Sequence, residues 1–324
     1  MRIRLFKNKF IILLFHITLI FSTGYCQQRP SSYTDGKFIS VNGAKLWVVL
    51  VGQGEPFIII PGGPGGNHFA YRAFDSLAKT NTVVYFDAFG RGKSDTAKDV
   101  KEYSLDRDIK DLEGLRVALH YEKWNVLGHS YGGLVAQGYA LKYPSRVTRL
   151  VLANTFHSFI MWQENDDNSN HEIKENYPEI WKELMAIREE GAISSDARHQ
   201  ELYGQVPYGF LYAYNPENFK SSNDKPYPNP FNAALYYQMV GKDGDFIVGS
   251  DIGNFDFRKN LKYLSMPVLI YAGRYDHVAV PDMQIKFKEY CPQARFVMFE
   301  HSGHNPQIEE PAKLFNLLKD FLSK

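Results

Sequence analysis

The chain has 324 residues, with 37 Lys and Arg against 36 Asp and Glu, a net charge of +1. Its 44% hydrophobic and 23% charged content is that of a folded domain, long enough to bury a large core in one or two units. This excludes a disordered or collagen-like chain, and near-neutral charge leaves no footprint for nucleic acid. Two cysteines, Cys26 and Cys291, cannot make a disulfide scaffold or a four-thiolate zinc site.

Arg2, Arg4, Lys7 and Lys9 precede the apolar run Phe10–Phe21, and Ser22, Thr23 and Gly24 follow it. A basic start, a short apolar stretch and a small-residue exit predict a secretory signal over residues 1–26, and thus an exported, periplasmic or secreted protein. The run is shorter than the roughly 20 residues that span a bilayer. Cleavage after Gly24 or after Cys26 is equally compatible with the pattern. Cys26 admits a lipid anchor as the lesser expectation, because the bulky Tyr25 precedes it. Membrane contact is expected only through this segment. Removing it leaves 298 residues with a net charge of −3 and Cys291 as a lone thiol, expected to be packed.

In chain order, Phe38–Val41, Asn42-Gly43 and Lys45–Val51 predict a hairpin. The apolar strand Phe57–Ile60 runs into Pro61-Gly62-Gly63-Pro64-Gly65-Gly66, and strand Thr82–Phe86 ends at Asp87. Helical spacing begins at Leu105 behind the N-cap Ser104. Strand Trp124–Leu127, a helix over about 131–143 and strand Val147–Ala153 follow. The alternation then breaks over 155–260, expected to be an inserted, mainly helical cap between core segments 27–154 and 261–324. It resumes with strand Val268–Ala272, helix Asp282–Tyr290, strand Arg295–Phe299 and helix Pro311–Leu322. Strands alternating with helices predict an α/β fold, a mostly parallel sheet with helices on both faces.

The chemistry-bearing residues fall at strand ends. Gly128-His129-Ser130-Tyr131-Gly132 fits G-x-S-x-G between a strand and a helix, where a strained turn lifts a serine hydroxyl above the sheet. A serine nucleophile needs a base and a carboxylate to orient it. Asp276 follows strand Val268–Ala272 and His304 follows strand Arg295–Phe299, in the order Ser130, Asp276, His304. Alone, either would be an ordinary turn or packing residue; their joint placement makes them catalytic candidates. His301 is the rival base, and His129 and His277 are weaker rivals. Backbone N–H groups of Gly63 and Tyr131 are the expected oxyanion donors. Gly92-Lys93-Ser94 lacks the first glycine of a phosphate loop, and Asp166, Asn168 and Asn170 lack the glycine and glutamate of a calcium loop. No metal or cofactor is expected.

Together, Pro61-Gly62-Gly63-Pro64-Gly65, Asp87-Ala88-Phe89-Gly90-Arg91-Gly92-Lys93-Ser94 and Gly128-His129-Ser130-Tyr131-Gly132-Gly133 resemble the proline iminopeptidase branch of the α/β-hydrolases. The similarity is greatest to the tricorn-interacting aminopeptidase type and runs discontinuously over residues 38–322. It implies an α/β-hydrolase fold and a serine hydrolase that removes an N-terminal residue, often proline, from short peptides. Two departures stand out. Pro61 occupies the place where a His normally begins the oxyanion loop. The family also clamps the substrate amine with acidic side chains, and Gly241–Phe246 resembles the cap segment that carries one, with Asp245 as its shorter counterpart. The second would follow Asp276, where this chain has His277, by its place a substrate-binding candidate beside Asp245 although a poor acceptor for an ammonium group.

Residues 155–260 hold 17 Asp and Glu against 9 Lys and Arg. Such a cap would favour a cationic peptide end, although acidic helix faces are also ordinary solvated surface. The alternatives left open are an esterase, lactonase or amidase with the same triad, and a non-catalytic binding protein on this fold.

Overall fold

The structure is a computed structural model and describes residues 35–219, 227–228 and 231–324. The expected signal segment 1–26 and Cys26 lie outside the described residues. Among them, the strands β1 (Lys37–Val41), β2 (Ala44–Val51), β3 (Glu55–Ile60), β4 (Asn81–Phe86), β5 (Trp124–His129), β6 (Val147–Ala153), β7 (Val268–Gly273) and β8 (Arg295–Phe299) form one sheet in the order β1-β2-β4-β3-β5-β6-β7-β8. The hairpin pairs antiparallel with β4, and every later pairing is parallel. The expected α/β architecture is therefore present, with its antiparallel strands at one edge.

Period-two alternation sorts side chains between two cores. From β3, Ile58 and Ile60 join Val126, Leu150 and Ile270 on one face, while Phe57 and Ile59 join Leu127, Val151 and Leu269 on the other. Helices α1 (Leu105–Ala118) and α2 (Tyr131–Lys142) cover the first face. A 3-10 helix over His68–Leu77 and the C-terminal helix cover the second. All six residues of β5 are buried, as are all six of β7, which explains why Val268–Ala272 reads as an unbroken apolar run.

Between β6 and β7 the chain leaves the sheet through α3 (Phe159–Asn176), α4 (Pro178–Glu189), α5 (Ala197–Tyr203), α6 (Tyr208–Tyr212) and α7 (Ala233–Val240). After β7 come α8 (Pro281–Ile285) and α9 (Phe287–Tyr290), where one helix was expected. Beyond β8 lie α10 (Pro306–Glu309) and α11 (Pro311–Leu322), each opened by a proline at a position where its missing N–H costs no helical bond. Cys291 is fully buried, and burial pushes its thiol up to about 11, so it packs rather than reacts.

Candidate active site

Ser130 lies between the last residue of β5 and the first of α2, with φ 53° and ψ −126°. A non-glycine residue there carries strain of about 1–3 kcal/mol, held in place by its surroundings. Its N–H donates to the Ala153 carbonyl at 2.9 Å, and its carbonyl accepts the Thr155 hydroxyl at 2.6 Å. Gly128 is needed because a Cβ there would strike the Gly132 carbonyl across the turn. The Ser130 hydroxyl makes no hydrogen bond among the described residues and borders a cavity of about 770 Å³.

His304, beyond β8, borders the same cavity. Its Nδ1 lies 2.8 Å from Oδ2 of Asp276, in the loop after β7. The Asp276 carboxylate is buried and fully engaged. Oδ1 accepts the N–H groups of Val278 at 2.9 Å and Ala279 at 2.8 Å, and Oδ2 also accepts the Asn154 amide at 2.9 Å. A carboxylate so bound only accepts, which places a proton on Nδ1 of His304 and leaves Nε2 as a basic lone pair. His301 is exposed beside Tyr214, and its N–H donates to Glu310. It does not border the cavity.

The loop after β3 passes over the serine. The N–H of Gly62 is taken by the Tyr71 hydroxyl at 2.7 Å. Gly63 follows at φ 129°, a conformation for glycine, and its N–H has no hydrogen-bond partner among the described residues. The same holds for the N–H of Tyr131 at the start of α2. These are the two donors expected from the sequence, and both are available to an anion. Behind them Arg91 forms a two-pronged pair with Asp108, each bond 2.7 Å, and donates from Nε to the Pro64 carbonyl at 2.8 Å. The Tyr131 hydroxyl donates to the same Asp108 at 2.6 Å. One buried ion pair thus braces the loop of Gly63 and the residue after Ser130.

Tyr203, Tyr212, Tyr236 and Tyr237 from the inserted helices wall the cavity, with Asp245 among them. Asp245 accepts the Tyr236 hydroxyl at 3.2 Å and the Tyr237 hydroxyl at 3.3 Å. Burial raises its carboxyl to about 6, against the pull of the two phenols. A second acid, Asp166 on α3, is also pushed up, first by burial and then by Asp245, and its Oδ2 is shielded without a partner among the described residues. Sequence reasoning missed this pairing, since Asp166 gave no signal beyond a failed calcium pattern. The asparagines of that pattern have other work: Asn168 donates to the His277 carbonyl at 3.0 Å and Asn170 to the Asp245 carbonyl at 2.7 Å.

His277 corrects an expectation. Placed beside the substrate by its position after Asp276, it instead lies against the inserted helices. Its ring stacks on Phe210, and Nδ1 lies 3.5 Å from Glu172 of α3. Asp276 turns inward to His304, and the next side chain is directed elsewhere. Among the described residues, no group of three or more His, Cys, Asp or Glu could hold a metal, and no helix is long and apolar enough to cross a membrane.

The alpha/beta hydrolase fold family model matches residues 55–311. The proline iminopeptidase of Heyndrickxia coagulans is 30% identical over 296 residues, covering 90% of this chain and 99% of that protein. That of Saccharolobus solfataricus is 28% identical, covering 84% of this chain and 86% of that protein. Among solved structures, the proline iminopeptidase of Mycobacterium smegmatis superposes with a TM-score of 0.71 at 20% identity, covering 89% of this chain and 97% of that one. VinJ superposes at 0.74 with 21% identity, covering 91% and 99%, a likeness of fold alone. The chain belongs to the α/β-hydrolase family, and the two relatives compared above are proline iminopeptidases.

Proposed function

We propose that this hydrolase is a serine aminopeptidase that releases an N-terminal residue, proline or a small apolar one, from short peptides. Ser130 attacks the carbonyl, His304 takes its proton and returns it to the leaving amine, and Asp276 holds the imidazole. The N–H groups of Gly63 and Tyr131 receive the oxyanion; losing one such donor costs about 2.7–4 kcal/mol of barrier. Water then attacks the acyl-enzyme by the reverse proton path.

The observation that carries the aminopeptidase reading is the carboxylate of Asp245, which borders the same cavity as Ser130 and His304. An ammonium group there finds a negative charge among tyrosine rings in a site of low polarity, where both ion pairing and cation–π attraction are strengthened. The relatives named proline iminopeptidases support the same reading. Comparing Pro- and Ala-naphthylamides with their N-acetylated forms tests it. Acetylation should abolish turnover, and turnover indifferent to acetylation would contradict it.

A second reading, an esterase or amidase for substrates without a free amine, is favoured by His277, which supplies no acid where the family places one and faces Glu172 instead. The same comparison decides between them. We also propose export by the basic, apolar N-terminal segment; N-terminal sequencing of the processed protein should find a start after Gly24 or Cys26.

A further inference from the structure

Four groups around the serine form a line of hydrogen bonds. The Gly62 N–H lies 2.7 Å from the Tyr71 hydroxyl, that hydroxyl 2.8 Å from Nδ1 of His129, and Nε2 of His129 2.8 Å from the His304 carbonyl. A carbonyl can only accept, so Nε2 of His129 carries the proton. Its Nδ1 is then a bare lone pair and accepts the Tyr71 O–H, while the Tyr71 oxygen accepts the Gly62 N–H. Each of the three contacts in the line thus has one donor and one acceptor. Tyr71 and His129 are both buried, and the His129 ring meets the His304 ring edge-on with centroids 4.7 Å apart. Burial first, and then neighbouring His304, push the His129 imidazolium down to about 3, so the ring stays neutral.

The line joins three chain segments that share no sequence continuity: the oxyanion loop, the turn before the nucleophile and the loop of the base. On the reading of Ser130 and His304 as nucleophile and base, we propose that Tyr71 and His129 are positioning residues. They set the separation between the oxyanion donors and His304 through a neutral imidazole of fixed tautomer. Among the described residues, neither makes a hydrogen bond to the Ser130 hydroxyl or to Nε2 of His304. Gly62 N–H, spent on Tyr71, is withheld from the oxyanion, so Gly63 is left as the donor of that loop. A shift of about 1 Å in such a constellation costs on the order of 100-fold in rate.

Kinetics of Tyr71→Phe, His129→Leu and the double variant, with ¹⁵N spectra of the histidine rings, test this. Tyr71→Phe removes one oxygen and keeps the packing. Its kcat should fall roughly 10- to 100-fold, with KM for a free-amine naphthylamide within about twofold of wild type. The double variant should be no slower than the worse single, because each break interrupts the same line. The spectrum should show His129 as the Nε2–H tautomer, and Tyr71→Phe should move its Nδ1 resonance alone. An unchanged kcat in Tyr71→Phe, multiplicative losses, or an Nδ1–H tautomer would each overturn the inference. If His129→Leu does not fold, Tyr71→Phe and the spectrum still decide. A wild type whose Ser130 takes no fluorophosphonate would sink the reading of the site itself, whereas a labelled wild type with an indifferent Tyr71→Phe sinks only the positioning role.

Discussion

Asn154 donates its side-chain amide to Oδ2 of Asp276 at 2.9 Å, the same oxygen that receives Nδ1 of His304. Asn154 itself sits at φ 44°, a left-handed conformation that asparagine tolerates better than most residues, and its amide also reaches the Gly303 carbonyl at 3.2 Å. It thereby fixes the carboxylate between the loops after β7 and β8. Asn154→Ala removes both bonds, and a lost buried hydrogen bond costs about 0.5–1.5 kcal/mol. We expect kcat to fall roughly 3- to 10-fold with little change in KM, measured on a naphthylamide substrate.

Asp276→Asn keeps the shape of the site but offers an amide to Nδ1 of His304, which favours the wrong tautomer. The expected loss in kcat is on the order of 10⁴-fold, with a circular dichroism spectrum like that of wild type. A loss below about tenfold would move the orienting role away from Asp276.

Asp245 is pushed up to about 6 from the ordinary carboxylate range by burial. Its folded form binds a proton that the unfolded chain has already released, so it weakens stability as pH rises from about 4 through 6. Asp245→Asn abolishes that dependence. The melting temperature of the variant relative to wild type should therefore rise between pH 4 and pH 7. On the aminopeptidase reading, activity should run in the opposite direction, because a substrate amine would need the ionised carboxylate. At pH 7 the variant should show a KM at least about tenfold higher for free-amine substrates, and wild-type KM should climb below pH 6.

The Arg91–Asp108 pair is buried on both sides. Arg91→Met leaves an unpaired carboxylate next to Tyr131 and frees the Pro64 carbonyl, and breaking such a pair costs about 3–5 kcal/mol. Urea denaturation should show that loss. The double variant Arg91→Met/Asp108→Leu should recover part of it, since no charge then remains buried. Activity should not recover in parallel, because the loop bearing Gly63 stays unbraced.

The sheet was legible because strands buried on both faces appear as apolar runs, unbroken in Phe57–Ile60 and Val268–Ala272 and interrupted only by Asn125 in Trp124–Leu127; all three lie inside strands of the structure. Ser130, Asp276 and His304 were legible as residues following such runs at one end of a parallel sheet. What was not legible depends on directions that local sequence does not encode. Tyr71 sits at a kink in the 3-10 helix, with φ −104° and ψ 16°, and its partners lie on the loop before it and 58 residues away. Asp166 becomes a neighbour of Asp245 only when α3 folds against the segment after α7. His277 was assigned by adjacency to Asp276, yet Asp276 is turned inward and His277 packs against the inserted helices.

The central claim is that Ser130 is a nucleophile activated by His304. It is tested most directly by intact-mass analysis after treatment with a fluorophosphonate. Wild type should gain the mass of one phosphonyl adduct, located by peptide mapping at Ser130, while Ser130→Ala gains none and His304→Ala labels far more slowly. Equal labelling of Ser130→Ala, or an unlabelled wild type that is fully folded, would contradict the account.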